Sequence, residues 1–123
     1  MRWRFVGYRL GRCWGRVKRV LLLRDVRMFC QRGRRGYSDE DLWSFDCYIA
    51  RVMSRGIAQL ADVTHSWPSN MEWPQPEDWD TYLRDLSRRL GHWTDENFLD
   101  RDAFEVTRAA VEEFGKNFGH FWD

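Results

Sequence analysis

Long apolar runs are missing from this chain. The run VLLL is closed by Arg24 and Asp25, well short of the ~20 apolar residues that a membrane-spanning helix needs. No GxxxxGK[ST] or GxGxxG occurs, and GRCWGRVK is not a phosphate loop. Metal-ligand spacing is also missing. His65, His92 and His120 lie far apart, with no HxxxH or HExxH, and each reads as a surface or capping residue. Cysteine is scarce. Cys13, Cys30 and Cys47 match no zinc or redox spacing, which leaves a reduced, intracellular protein as the simplest reading. The basic start lacks the uninterrupted apolar stretch and small-residue cleavage site of a signal peptide. No base is evident beside Cys47, so nucleophilic catalysis is poorly supported. Acid pairs such as DED, PED and TDEN sit where helix capping explains them. These absences predict a non-enzymatic protein without a cofactor or a bound metal.

What is present is aromatic and unevenly charged. The 123 residues are enough for one domain, and eight Trp and eight Phe predict an aromatic-rich core. Residues 1–36 carry eleven Arg and one Lys against Asp25 alone, 12 − 1 = +11. Residues 37–123 carry eight basic and eighteen acidic residues, 8 − 18 = −10. Most of the basic segment is expected to pack on the acidic body and be neutralised there. Some arginines are left over for phosphate on a partner, because eleven exceed what one helix pairs locally.

Apolar residues recur with a period near 3.6 in four segments. The first spans about Gly15 to Arg32, with Val17, Val20, Leu21 and Met28 on its inner face. The second starts at Ser38, with Asp41 three residues on as an approximate capping box, and runs to about Thr64. The stretch HSWPSNMEWPQP is a loop forced by three prolines. The third begins near Pro76 and carries Trp79, Tyr82, Leu83, Leu86, Leu90 and Trp93 as one stripe, ending near Gly91. The fourth runs from about Asp100 to Phe118, with Phe104, Val111, Phe114 and Phe118 inward. Only Met1 to Leu10 could form a short strand. The expectation is an all-α, single-domain bundle of about four helices, with residues 1–14 as a basic N-terminal arm.

One residue breaks the pattern. On a helical wheel at ~100° per residue with Leu42 at zero, Asp46 falls at about 40°, between Met53 and Ile57. Trp43, at about 100°, lies on the edge of that face. A buried carboxylate must be paired or protonated, because stripping its water costs several kcal/mol. Candidate partners are Arg32, Arg34 and Arg35 on the preceding turn, His65 in the next loop, or a ligand. A structural Arg–Asp pair is the commoner outcome. In the functional reading, Asp46 and Trp43 floor a pocket rimmed by arginines.

The stretches WSFDCYIARV, HSWP and EDWDTYLRDL resemble a family of small phage-encoded proteins. Its members carry W-[SN]-[LF]-D-x-x-[IL]-A-[KR], then H-G-Y-P, then a W-x-x-[IL]-L helix. The likeness covers Trp43 to Leu86 and marks Trp43, Asp46, His65 and Pro68, with Ser66 and Trp67 replacing the family's Gly and Tyr. It implies a phage origin and a helical fold, and carries no assigned activity.

Together these features predict a phage accessory protein in the host cytoplasm that sequesters a small phosphate-bearing ligand, such as a nucleotide signal of host defence. Its ligand-binding residues would be Trp43, Asp46, Arg32, Arg34, Arg35 and His65. The alternatives are a protein–protein inhibitor or adaptor of a host factor, a homo-oligomer among its forms, or a nucleic-acid-binding accessory. The last is less favoured because the acidic body would repel a long phosphate backbone.

Overall fold

A computed structural model describes the backbone of residues 4–122 and the side chains of residues 20–122. The described residues are helical, with no strand among them. The chain divides into two compact units, residues 1–43 and 44–123.

The first unit is built on α1, Arg4–Arg35. Residues 4–10 are helical rather than extended, and residues 1–3 lie outside the described residues. No proline interrupts this segment, so nothing stops the helix before Gly36, whose φ of 83° favours glycine. Among the described residues of the first unit, nothing covers the expected inner face of α1. Val20 and Leu21 are exposed and Met28 is half-buried, while the side chain of Val17 lies outside the described residues.

Acids for the α1 arginines come from the next turn. Asp39 accepts from Arg27 at 3.1 Å, from Gln31 at 2.6 Å and from Arg35, and Glu40 accepts from Arg24. The DED stretch therefore neutralises the helix end beside it. The capping-box residues do meet: the Ser38 N–H and hydroxyl donate to Asp41 at 2.7 and 2.8 Å. They open a 3-10 turn, Asp41–Ser44, and not an α-helix.

In the second unit, α2 (Phe45–Val63), α3 (Pro76–Leu90) and α4 (Arg101–Lys116) follow. Local signals set their ends. Pro76 occupies the first turn of α3, and Asp78 accepts from the Gln75 N–H at 3.2 Å. Asp100 caps α4, accepting from the Asp102 and Ala103 amides at 3.0 and 3.1 Å.

Helix α3 is central and packs on both α2 and α4. It supplies the bulk of the core through Trp79, Leu83, Leu86 and Leu90, all fully buried. Its neighbours answer with small residues: Cys47, Ala50 and Ala61 from α2, and Ala103, Thr107 and Ala110 from α4. Small side chains let helix axes approach closely around the large ones of α3. At the closest point Ser54 donates to the Ser87 carbonyl and Ser87 to the Ser54 carbonyl, both at 2.8 Å. A Cβ on Gly91 would lie 2.7 Å from the Ser54 hydroxyl, so that crossing has no room for a side chain.

This arrangement reverses two expectations. On α4 the large residues Phe104 and Val111 are exposed and Phe114 is half-buried, because the alanine face turns inward; Phe118, also exposed, lies beyond the helix end at Lys116. On α2 Phe45, Ile49 and Val52 are exposed for the same reason, and Leu42, also exposed, lies in the preceding 3-10 turn. The proline loop also contributes to the core. Asn70 accepts from the Glu72 and Trp73 amides at 3.0 and 2.9 Å, a turn that seats Trp73 4.7 Å from Trp79 and 4.8 Å from Tyr82.

Candidate functional site

The buried carboxylate that the sequence pattern calls for exists, but it is Asp41. Asp41 is buried, and Arg32 grips both of its oxygens, through Nε at 2.8 Å and Nη2 at 2.5 Å. The Arg32 guanidinium holds the Asp41 carboxyl well below the usual carboxylate range, assisted by the Ser38 amide and hydroxyl and opposed by burial. A depressed native pKa means the clamp contributes fully above the ordinary value of ~3.9 and fades as pH falls through the native value. Arg32→Met should raise the midpoint of the Asp41 titration by ~1–3 pH units, the effect of an adjacent arginine. Carboxyl-carbon NMR between pH 2 and 6 checks it: Asp41 should stay ionised across this range in the original protein and titrate within it in the variant, and identical curves would show that Arg32 does not hold the acid.

Asp46 is exposed. The wheel placed it inside a continuous helix from Ser38, whereas α2 begins only at Phe45. Asp46 is therefore a first-turn residue, accepting from the Cys47 N–H at 2.9 Å, where the positive end of the helix dipole favours an acid. Asp46→Asn should then cost between zero and ~1 kcal/mol. A buried ion pair would instead cost ~3–5 kcal/mol on losing one member. A chemical denaturation midpoint on both proteins separates the two ranges.

The other expected site residues are dispersed. Arg35 bonds Asp39, donates to the Tyr37 carbonyl at 3.0 Å and lies 4.8 Å over the Tyr37 ring. Arg34 is exposed on the last turn of α1. Trp43 is 92% exposed at the end of the first unit. Asp46 and His65 belong to the second unit. Arg32 and Arg35 are engaged by acids of their own unit, and Asp46 accepts from an amide of its own helix end.

His65 lies somewhere else of interest. It lines a cleft of about 560 Å³ with Ser66, Trp67, Glu77, Trp79 and Asp80. One wall is the start of the proline loop, where the Thr64 hydroxyl donates to the Ser66 carbonyl at 2.9 Å. The other is the first turns of α3. Asp80 accepts from Arg84 at 3.0 Å, and the same guanidinium reaches Asp62 at 3.1 Å, so this acid is already neutralised. The indole N–H groups of Trp67 and Trp79 are buried and have no acceptor in the protein. Sequence reasoning assigned Trp79 to the core alone and gave Trp67 no role. The signal available was the HSWP stretch.

A second cleft, of about 420 Å³, is lined by Cys47, Arg51, Arg55, Trp93 and Asp95 among others. Burial, with Asp95 and Asp46 nearby, pushes the Cys47 thiol up to about 11, so it stays protonated near neutral pH and is a poor nucleophile. Among the described residues no group of three or more His, Cys, Asp or Glu is placed to hold a metal ion. No described helix is long and apolar enough to cross a membrane. No family model, curated protein or solved structure matches the chain.

Proposed function

We propose that the protein binds and withholds a small nucleotide-like ligand without transforming it, with the ligand's base in the cleft beside His65. The observation that carries this reading is the cleft walled by His65, Trp67, Glu77 and Trp79, behind whose wall the indole N–H groups of Trp67 and Trp79 lie buried without an acceptor in the protein. Leaving a buried donor unpaired costs about 1–3 kcal/mol. A nucleobase presents carbonyl oxygens and ring nitrogens at the edge of an aromatic plane, and can supply what these donors lack. Its amino groups suit Glu77. The acids on the α3 wall direct the phosphate outward to exposed His65, whose imidazole N–H can donate to it.

The protonated Cys47 thiol supports binding without chemistry. The resemblance of Trp43–Leu86 to small phage proteins suggests the setting, a host cytoplasm in which a nucleotide signal of defence is held out of reach. Trp67→Phe tests the reading, because it deletes the N–H and keeps a ring. Calorimetric titration with a panel of mono- and dinucleotides should show binding to the original protein and about tenfold weaker binding to the variant, one hydrogen bond's worth. No nucleotide binding, or equal affinity in both proteins, would reject it.

A second reading, an adaptor that meets an acidic host protein, is favoured by the openness of Trp43, since exposed indoles often anchor protein interfaces. Trp43→Ala should then abolish capture of that protein while nucleotide binding is unchanged.

A further inference from the structure

The second cleft, of about 420 Å³, is walled entirely by residues of the second unit. Its volume suits a small molecule. One wall is α2, where Arg51 and Arg55 stand one turn apart on the same face as Cys47. The other is the turn after α3, which carries Trp93, Asp95 and Glu96. Local bonds hold this turn. Asn97 accepts from the Thr94 N–H at 2.6 Å and donates to the His92 carbonyl at 3.0 Å. The Trp93 indole donates to the Phe98 carbonyl at 3.2 Å, and its ring lies 5.1 Å from Phe104.

The two walls carry opposite charge, yet they do not pair. Elsewhere in this unit Arg84, Arg88, Arg89 and Arg108 each reach an acid, at 3.0, 2.5, 2.7 and 2.9 Å. Among the described residues, Arg51 and Arg55 form no ion pair with an acid, and Asp95 and Glu96 form none with a base. Arg51 instead lies 5.8 Å over the Tyr48 ring, and Asp95 lies against the Cys47 thiol. An anion in the cleft would leave two carboxylates uncompensated beside it. A cation would leave two guanidiniums. Only a ligand with both charges satisfies both walls.

We propose that this cleft binds a free α-amino acid with an apolar side chain. Its carboxylate meets Arg51 and Arg55, its ammonium meets Asp95 and Glu96, and its side chain rests on Trp93. A guanidinium fork matches the two oxygens of a carboxylate, and both contacts are charge-assisted. The orientation has a second support. Gly91, at the C-terminal end of α3, lines the same side as the two acids, and the negative end of that helix's dipole favours a cation there. The site shares no lining residue with the cleft beside His65.

Calorimetric titration of the whole chain tests this with three forms each of phenylalanine and leucine. These are the free amino acid, its amide, which has no carboxylate, and its N-acetyl derivative, which has no ammonium. A free amino acid should bind, and each blocked form should bind about tenfold more weakly, one charge-assisted contact's worth. The double variant Arg51→Gln, Arg55→Gln should bind the free amino acid no better than its amide. The double variant Asp95→Asn, Glu96→Gln should bind it no better than the N-acetyl derivative. All four positions are exposed, so both variants should retain the helical circular dichroism of the original. Binding of neither free amino acid overturns the proposal. So does equal affinity for a free amino acid and either blocked form, which would make the cleft a plain anion or cation site. Double variants that bind as tightly as the original, with the same preference for the free form, overturn the assignment of the four charges.

Discussion

Trp79→Ala should cost the second unit ~3–5 kcal/mol, the usual loss for truncating a buried tryptophan. Trp79 is 1% exposed and joins three helices' worth of packing. Its ring lies 4.7 Å from Trp73, 5.3 Å from Tyr82 and 5.9 Å from Phe121. Removing it opens a void that rigid neighbours cannot close and releases Trp73, the residue by which the proline loop is held to α3. Urea denaturation followed by circular dichroism measures the loss. Trp79→Phe should lose much less, because the ring stays and the deleted N–H has no protein acceptor. A loss below ~1 kcal/mol for the alanine variant would contradict its central place in the core.

Thr107→Val should be the next most costly change, at ~1–3 kcal/mol, although the side chains have nearly the same shape. Thr107 is buried on the inner face of α4. Its hydroxyl donates to the Arg89 carbonyl at 2.8 Å and accepts from the Trp93 N–H at 3.0 Å. It thus satisfies backbone groups on both sides of the end of α3. Valine leaves the Trp93 N–H without its acceptor and the Arg89 carbonyl with only the His92 N–H at 3.3 Å. Thr107→Ser keeps the hydroxyl and should recover most of the loss. A melting temperature for valine equal to that of the original protein would show that these bonds contribute nothing. Arg89 ties the same two helices from the side, bonding Glu113 and Asp85 at 2.7 Å each, and this pairing holds the Arg89 guanidinium above its usual pKa.

The failure at Asp46 and the recovery at Asp41 have one origin. The wheel was drawn from Ser38 as though the helix were continuous. A 3-10 turn intervenes, so α2 begins only at Phe45, and Asp46, still in phase with Met53 and Ile57, stands at the exposed helix end. The logic that a buried acid needs an arginine was sound, and Arg32 was among the named partners. It was attached to the wrong acid by five residues. The cleft beside His65 was legible only as the motif HSWP, because its other wall is α3, supplied by residues ten or more positions later that the pattern had assigned wholly to the core.

The sequence by itself determined the helical class, the start of α3 at Pro76, its end at Gly91 and the Asp100 cap of α4. It also determined the inner stripe of α3. These are local properties: a fixed φ at proline, a carboxylate over free amides, and one stripe strong enough to have a single solution. The tertiary structure alone decided which faces of α2 and α4 turn inward, and that Trp73 leaves its loop for the core. An apolar period ranks residues by transfer free energy. Helices packed side by side also select for closeness, and beside a helix carrying Trp79, Leu83, Leu86 and Leu90 the close approach goes to Ala50, Ala61, Ala103 and Ala110. Of the larger residues of α2 only Ile57 is buried with them, while Met53, Leu60 and Phe114 are half-buried against the core and Phe45, Ile49, Val52, Phe104 and Val111 stay exposed.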